Sequence, residues 1–515
     1  MAVLFAGDFT SATARNRRLQ AGAIAPIARG VWTDQVHDAP EAVVMQHWRR
    51  LVATLLPNAV ITDRSAFDMA PANGALFVSH RRTTPLELPG LTVYPDGKQQ
   101  NGAGGKDTFR VADGALFGVN RSRALIDNAE QRGRPSVAPR RFSEAELHDR
   151  ITNIVTTSTV TQISNIIADI RANANKAAAA RLIEIIEAAQ GLRALPTSSR
   201  ALRAAQGNEP YDNARVSLFG QLAASLRNLA PVIRNLIDVD RAAYASFYEA
   251  YFSNYIEGST LDVDEARRVV FDHADVGKPQ DAHDVRATWE IVADTGEMSR
   301  RFTTATEFMD ALRDRHRVMM AARPDKLPGD WKIEANRAGA TVFVDPEKVP
   351  GTLRAGWEEG QAITDPFQRA LYMMFLVSEV HPFADGNGRS ARVAMNAELV
   401  TAGMHRIIVP TVIRNEYLSG LARITAGNGP ETLHRVLEHA QKWVAHGEFG
   451  DLNTAEKYLR VTNALVDAGI ASEQGIHLRV LRIGELADLD DRPFPLPPTG
   501  QAEQSMLGVV VDSSE

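Results

Sequence analysis

The chain has 515 residues, 44% hydrophobic and 23% charged, with 57 Lys+Arg against 63 Asp+Glu for a net charge of −6. That length exceeds one ordinary domain and suggests three or four, while no apolar run approaches the ~18 residues a membrane span needs. The absence of cysteine excludes disulfides, thiolate zinc sites and cysteine nucleophiles.

From the N-terminus, residues 1–7 are apolar but too short for a signal-peptide core and have no basic leader, so a cytoplasmic protein is expected. Residues 11–22 are Arg-rich and read as helix, and residues 24–36 carry strand-like stretches around Arg29-Gly30-Val31-Trp32-Thr33. Residues 39–56 form a strong helix opened by Pro40 and Glu41 and stopped by Pro57. Gly and Pro punctuate residues 71–135, where 75–79 and 91–94 are short β runs. Residues 143–195 are helical and end in an Ala-rich amphipathic stretch at 177–191. Residues 1–150 carry a net charge of about +4 and the remainder about −10, an asymmetry compatible with nucleic-acid contact by the basic end.

The segment 196–213, with Pro196, Gly207 and Pro210, reads as a linker. It separates an accessory region at 71–195 from a mostly helical domain at 214–450. Within that domain Ser253 and Glu257 are four apart, hence neighbours on one helix face, and Gly258 is a natural helix stop. Residues 338–345 alternate after a Gly turn, as a short hairpin would. Residues 451–490 add one or two helices, and 491–515, with Pro493, Pro495, Pro497 and Pro498, have the composition of a disordered tail. No internal repeat has a fixed period.

The densest chemistry lies at His381-Pro382-Phe383-Ala384-Asp385-Gly386-Asn387-Gly388-Arg389-Ser390-Ala391-Arg392. The apolar run 370–380 reads as a buried helix ending at His381, which Pro382 biases away from helical geometry. A second helix, with Val393, Met395, Leu399 and Val400 as apolar positions, follows Gly388. The loop therefore sits at a helix N-terminus, where free N–H groups and the dipole favour phosphate. Gly386 and Gly388 allow close backbone approach to an anion. His381 titrates near neutral pH and can accept a hydroxyl proton. Asp385 offers a hard oxygen to Mg²⁺. Asn387 and the surrounding N–H groups are expected to clasp phosphates, and Arg389 and Arg392, three apart, to reach the same polyphosphate. Phe383 is expected to anchor the loop in the core.

Two patterns carry no site. Asn101-Gly102-Ala103-Gly104-Gly105-Lys106-Asp107 has Gln100 and Asp107 where a P-loop needs Gly and Ser/Thr. Asp272, His273, His283 and Asp284 fit no metal spacing and are expected on a polar loop.

The twelve-residue run resembles the Fic family motif, His-x-Phe-x-acidic-Gly-Asn-Gly-Arg-x-x-Arg, and meets all eight specified positions. The resemblance implies a mainly α fold: an all-helical core with a small β-hairpin flap, here preceded by an α+β N-terminal region. It implies transfer of AMP from ATP to a Ser, Thr or Tyr hydroxyl of a target protein, with Mg²⁺ on Asp385. Cores of this kind often pair as homodimers. Ser253-Asn254-Tyr255-Ile256-Glu257-Gly258 is similar to the family's inhibitory helix, here placed at 245–258, whose Glu257 would take Arg392 from the γ-phosphate. Thr341, Val342, Phe343 and Val344 fall where the family has its flap, which adds target backbone as a strand; an ordinary packed hairpin is the alternative.

Residues 10–195 are weakly similar to abortive-infection antitoxin-type winged-helix regulators, with a winged-helix-like domain at 1–70. That resemblance would turn Arg15, Arg17, Arg18 and Arg29 toward DNA phosphates; a solvated scaffold face is the alternative. Two further functions stay open: a hydrolase removing AMP, with Glu257 orienting water, and a DNA-binding regulator using the core as a nucleotide sensor. The donor is also open, since the loop reads phosphates and not the base.

Overall fold

The computed structural model describes residues 3–98, 105–111, 115–130, 139–207, 209–339 and 341–488. Most of the glycine-rich run at 101–107 and the whole 491–515 tail lie outside them. The chain divides into two compact units, Met1–Asn208 and Glu209–Glu515. Among the described residues no helix is long and apolar enough to cross a membrane.

The first unit holds two small sheets. Val3–Phe5, Val31–Thr33 and Ala25–Ala28 form a three-stranded antiparallel sheet in that order, with a bulge between Pro26 and Ala28. It is accompanied by helices Ala12–Gln20 and Pro40–Leu55. The second sheet has six strands, ordered Leu86–Leu88, Leu91–Pro95, Ala75–Ser79, Ala59–Ile61, Leu116–Val119, Thr108–Arg110.

This sheet corrects the boundary expected at residue 70. Ala59–Ile61 lies between Ala75–Ser79 and Leu116–Val119, antiparallel to the first and parallel to the second. Val3, Val31, Trp48, Val60 and Val93 share one apolar core with Leu116. A cut at 70 would leave the central strand's hydrogen bonds without partners, which burial forbids. The helical stretch at 143–195 resolves into Glu144–Thr157, Val160–Asn173 and Lys176–Ala189, each opened by an Ser, Thr or Asn cap.

The division between the two units falls inside the segment 196–213 read as a linker, and part of that segment is helical. Arg200–Gln206 is a helix capped by Ser199, whose Oγ accepts from the Leu202 N–H at 2.9 Å. Its Ala201, Leu202 and Ala205 are buried. Pro196, Gly207 and Pro210 bracket that helix and do not mark an extended tether.

The second unit is helical around one large core. Its centre is Pro366–Val380, buried on nearly every side, the mark of a helix surrounded by other elements. Pro366 starts it, and Asp365 caps it by accepting from the Gln368 N–H at 3.0 Å. It ends at His381, whose φ of 52° is left-handed. Pro382 disfavours the right-handed helical region there, and the left-handed turn stops the helix at a cost of about 1 kcal/mol. Asn387–Thr401 packs back against this helix. The expected C-terminal helices are Leu452–Val461 and Ala468–Gln474; their Tyr458, Leu459 and Ala471 belong to the same core.

Candidate active site

The motif loop opens helix Asn387–Thr401 with Gly386 at its N-cap, at φ 74°. A side chain there would strain the backbone and bring a Cβ to 2.9 Å from Met320 Sδ. No side chain caps this helix. The first bond into it is Ser390 N–H to Gly386 C=O at 3.0 Å. The N–H groups of Asn387, Gly388 and Arg389 make no hydrogen bond among the described residues, so three donors face an anion position.

His381 stands at the edge of that position. Its Nδ1 lies 3.2 Å from the Ser378 carbonyl, an acceptor only, so Nδ1 carries the proton and Nε2 the lone pair. The ring stacks on Phe343 at 3.8 Å and 4°. Burial pushes its pKa down to about 4, leaving the imidazole neutral at pH 7. Asp385 is half-buried, and its Oδ1 accepts from the Gly386 N–H at 2.6 Å. Among the described residues no group of three or more His, Asp or Glu could hold a metal by itself. A single hard carboxylate suits a magnesium ion that takes its remaining ligands from phosphates and water.

Two expectations about the loop are corrected. Asn387 does not face phosphate: its Oδ1 accepts from the Phe383 N–H and its Nδ2 donates to the Phe383 C=O, both at 2.8 Å. This buried amide braces the loop in place of a backbone turn. Arg389 does not share a polyphosphate with Arg392. Its Nη1 donates to Asp284 Oδ2 at 2.7 Å and to Asn254 Oδ1 at 3.2 Å. Asp284 is buried in helix Pro279–Ala293, with His283 beside it, so neither lies on the polar loop expected for them. Arg323 also donates to Asp284 Oδ2, at 2.8 Å. The pair locks the motif helix to its neighbours, because a buried guanidinium needs a counter-charge.

Arg392 is the guanidinium left at the site. Its Nε donates to Ser253 Oγ at 2.9 Å, and its Nη2 donates to the Ser253 carbonyl and to Glu257 Oε1, both at 2.7 Å. Burial opposes its charge, but Glu257 and the buried Tyr417 hydroxyl outweigh this and raise its pKa. Glu257 closes helix Ala245–Ile256. The Gly258 N–H bonds to Tyr255 C=O and the Ser259 N–H to Asn254 C=O, with Gly258 left-handed at φ 96°. This is a Schellman turn, and it requires glycine at 258. The carboxylate it presents crowds the motif helix: a Cβ on Gly388 would fall 2.1 Å from Glu257 Oε1. An internal anion thus stands at an anion-binding helix terminus.

The hairpin pairs Arg337–Ala338 with Thr341–Val342. It is shorter than expected. Val344 belongs to the core and Phe343 covers His381, leaving Thr341 and Val342, the latter 59% exposed, as the strand. The Val342 carbonyl accepts from Arg215 Nη2 at 2.8 Å, and Arg215 is ion-paired with buried Glu379.

Four residues at the site escaped sequence reasoning. His316 accepts from the Gly329 N–H at Nδ1, 2.9 Å, so its Nε2 donates to the Asp385 carbonyl, 3.0 Å away. Its ring lies flat on Phe383 at 3.6 Å, and burial lowers its pKa to about 4. Lys332 donates its N–H to the Pro382 carbonyl at 2.9 Å and its Nζ to Asn336 Oδ1 at 2.6 Å. Asn336 in turn donates to the Phe383 carbonyl at 3.0 Å. Tyr417, buried in the core, neighbours Arg392. None of the four has a local signature; each is defined by a partner far along the chain. In the first unit Arg17, Arg18 and Arg29 are exposed, while the Arg15 guanidinium lies over the Trp32 ring at 4.8 Å.

The site thus brings together an uncapped helix N-terminus, a neutral histidine and an arginine paired to a glutamate. Residues 307–399 match the model of the Fic/DOC family, and the chain carries a Fic domain. It is 25% identical over 207 residues to protein adenylyltransferase fic-1 of Caenorhabditis elegans, covering 38% of this chain and 40% of that protein. It is 27% identical over 332 residues to protein adenylyltransferase Fic of Nematostella vectensis, covering 59% and 68%. The chain thus spans about two fifths of the length of the nematode relative. Among solved structures, Fic-1 from C. elegans aligns with a TM-score of 0.34 at 16% identity, over 59% of this chain and 86% of that one. A Fic-domain signalling protein from Bacteroides thetaiotaomicron aligns with a TM-score of 0.33 at 19% identity, over 48% and 96%.

Proposed function

We propose that this chain is a protein adenylyltransferase that transfers AMP from ATP to a side-chain hydroxyl of a target protein, and that Glu257 holds it at rest. The observation that carries this reading is the fixed tautomer of His381 beside an uncapped helix N-terminus. As the target oxygen bonds to the α-phosphorus, its proton passes to His381 Nε2. The bond to the β-phosphate oxygen breaks and pyrophosphate leaves. The anionic substrate raises the imidazole pKa from its depressed resting value and strengthens the base as it binds. The three free N–H groups hold phosphate oxygens, and Arg392 meets the γ-phosphate once Glu257 withdraws. Asp385 would hold a magnesium ion, which would supply charge neutralisation at the phosphates. Val342, exposed beside His381, presents backbone to the target segment.

A second reading uses the same groups in reverse. Glu257 has 32% of its side chain exposed, enough to hold a water for attack on an AMP-modified protein, with His381 protonating the departing hydroxyl. One experiment separates the two. Glu257→Gly protein is incubated with α-labelled ATP and Mg²⁺ in cell lysate, with His381→Ala in the same background as control. A labelled protein that depends on His381 supports transfer. No label from Glu257→Gly, while the unaltered chain strips AMP from a modified protein, replaces transfer with hydrolysis.

A further inference from the structure

The helix that carries Arg389 and Arg392 lines a cavity with its other face. At 100° per residue, Ala394, Ala397, Glu398 and Thr401 lie opposite the pair that meets Ser253 and Asp284. On that side is a cavity of about 300 Å³. Four guanidinium groups line it, from three separate stretches of chain: Arg300, Arg301, Arg315 and Arg369.

Glu297 takes both Arg315, at 2.9 Å, and Arg300, at 3.1 Å, and Glu290, Asp294 and Asp314 lie near the same two guanidiniums. Glu398 takes Arg369 at 3.0 Å. Arg301 makes no hydrogen bond or ion pair among the described residues, so the guanidinium charge left for a bound anion is chiefly that of Arg301. Arg315 is itself buried, with a side chain only 5% exposed, and is held in place by the Glu297 carboxylate and carbonyl at 2.9 and 2.8 Å. A fixed fork of donors is well shaped for phosphate oxygens.

The cavity is not only basic. Phe302, Phe308 and Met373 line it, with the Arg300 and Arg315 guanidiniums over the Phe302 ring at 5.6 and 6.0 Å. Apolar surface among clustered arginines suits a ligand that joins a planar ring to a phosphate. We propose that this cavity binds a phosphorylated small molecule of nucleoside monophosphate size, at a site separate from the His381 loop. Because Ala394 and Ala397 line it from the motif helix, occupancy bears directly on the helix that holds Arg392.

Isothermal titration of the full chain with AMP, pyrophosphate and inorganic phosphate, each without magnesium, tests this. Arg392→Ala disables the anion position at the loop, and Arg301→Glu reverses the unpaired charge at the cavity; Arg301 is exposed, so its substitution leaves the fold intact. AMP binding should persist in Arg392→Ala and weaken about tenfold or more in Arg301→Glu, the equivalent of one lost charge-assisted contact. AMP should also bind more tightly than phosphate alone. Binding lost in Arg392→Ala and retained in Arg301→Glu assigns the ligand to the loop and overturns the proposal. Absence of binding at millimolar ligand overturns it equally, and so does equal affinity for AMP and phosphate. Failure of the AMP-transfer experiment leaves this measurement unaffected.

Discussion

The His316 imidazole donates a hydrogen bond of 3.0 Å to the main-chain carbonyl of Asp385 while its ring lies 3.6 Å above Phe383. One buried side chain thus fixes the carboxylate's backbone and the loop's aromatic anchor together. His316→Phe keeps the stacking and removes both hydrogen bonds, from the Gly329 N–H and to the Asp385 carbonyl. We expect a loss of about 2 kcal/mol in stability, a loss of about tenfold in kcat, and a raised magnesium requirement, since each buried hydrogen bond contributes about 1 kcal/mol and Asp385 shifts. Wild-type kinetics across a magnesium titration would remove His316 from a positioning role.

Release of Arg392 should activate transfer. The Glu257 contact competes with a γ-phosphate for charge-assisted hydrogen bonds of about 1.5–3 kcal/mol. Glu257→Gly is therefore expected to raise His381-dependent AMP incorporation by between about tenfold and a hundredfold. Incorporation at the level of the unaltered chain would separate Glu257 from inhibition.

Gly388→Ala makes the opposite test. Its Cβ would sit 2.1 Å from Glu257 Oε1 and 3.2 Å from Arg392 Nη1. The methyl displaces the carboxylate but also fills the anion position. The substitution should abolish ATP binding by calorimetry, and Glu257→Gly should fail to restore it. Recovery in the double variant would show that phosphate binds elsewhere than over this helix end.

Asp284 serves Arg389 and Arg323 together. Asp284→Ala strands a buried guanidinium, and breaking such a pair typically costs about 3–5 kcal/mol. Chemical denaturation should show a loss of that size, well above that of Asp281→Ala, which removes the peripheral partner of Arg323 and two exposed hydrogen bonds from Thr260. Equal losses would deny Asp284 its special place.

Acid should weaken the fold early. Burial lowers His316, His381 and His405 to about 4 each, against an ordinary value near 6.5. The unfolded chain therefore binds more protons between those limits, and stability falls as pH drops from about 6.5 to 4. Each histidine contributes on the order of 2 kcal/mol to that loss. Denaturant midpoints at pH 7 and pH 4.5 measure it, and His316→Phe should flatten the difference. A pH-independent midpoint over this range would rule the effect out.

How much was legible in the sequence depended on where each residue's partner lies. The motif loop, its helix N-terminus, the end of the preceding helix at His381 and the stop at Gly258 are written in neighbours a few positions apart. Ser253 and Glu257 were found because they share a helix face and a known spacing. Arg389 was misread because its partner, Asp284, lies more than a hundred residues away; the i,i+3 spacing with Arg392 says only that both can point the same way. His316 looks like an ordinary basic residue in the last turn of helix Ala305–Met319. The boundary at 70 failed for a related reason: Ala59–Ile61 is three residues long, and only its pairing with strands on both sides shows it to be central.

Helix Ala245–Ile256 is fastened along its length. Glu249 accepts from buried Arg406 at 2.6 Å, Ser253 holds Arg392, and Asn254 receives Arg389 while donating to Thr288. A plug built this way cannot be pulled out whole, because its removal would open the domain's own interior. Any signal that frees Arg392 must act on the final turn alone, by unravelling the backbone at 257–259 or by swinging one carboxylate aside. The proposed switch is thus a latch one residue long on a beam that does not move, and its sensitivity is set by the stability of a single glycine-closed turn.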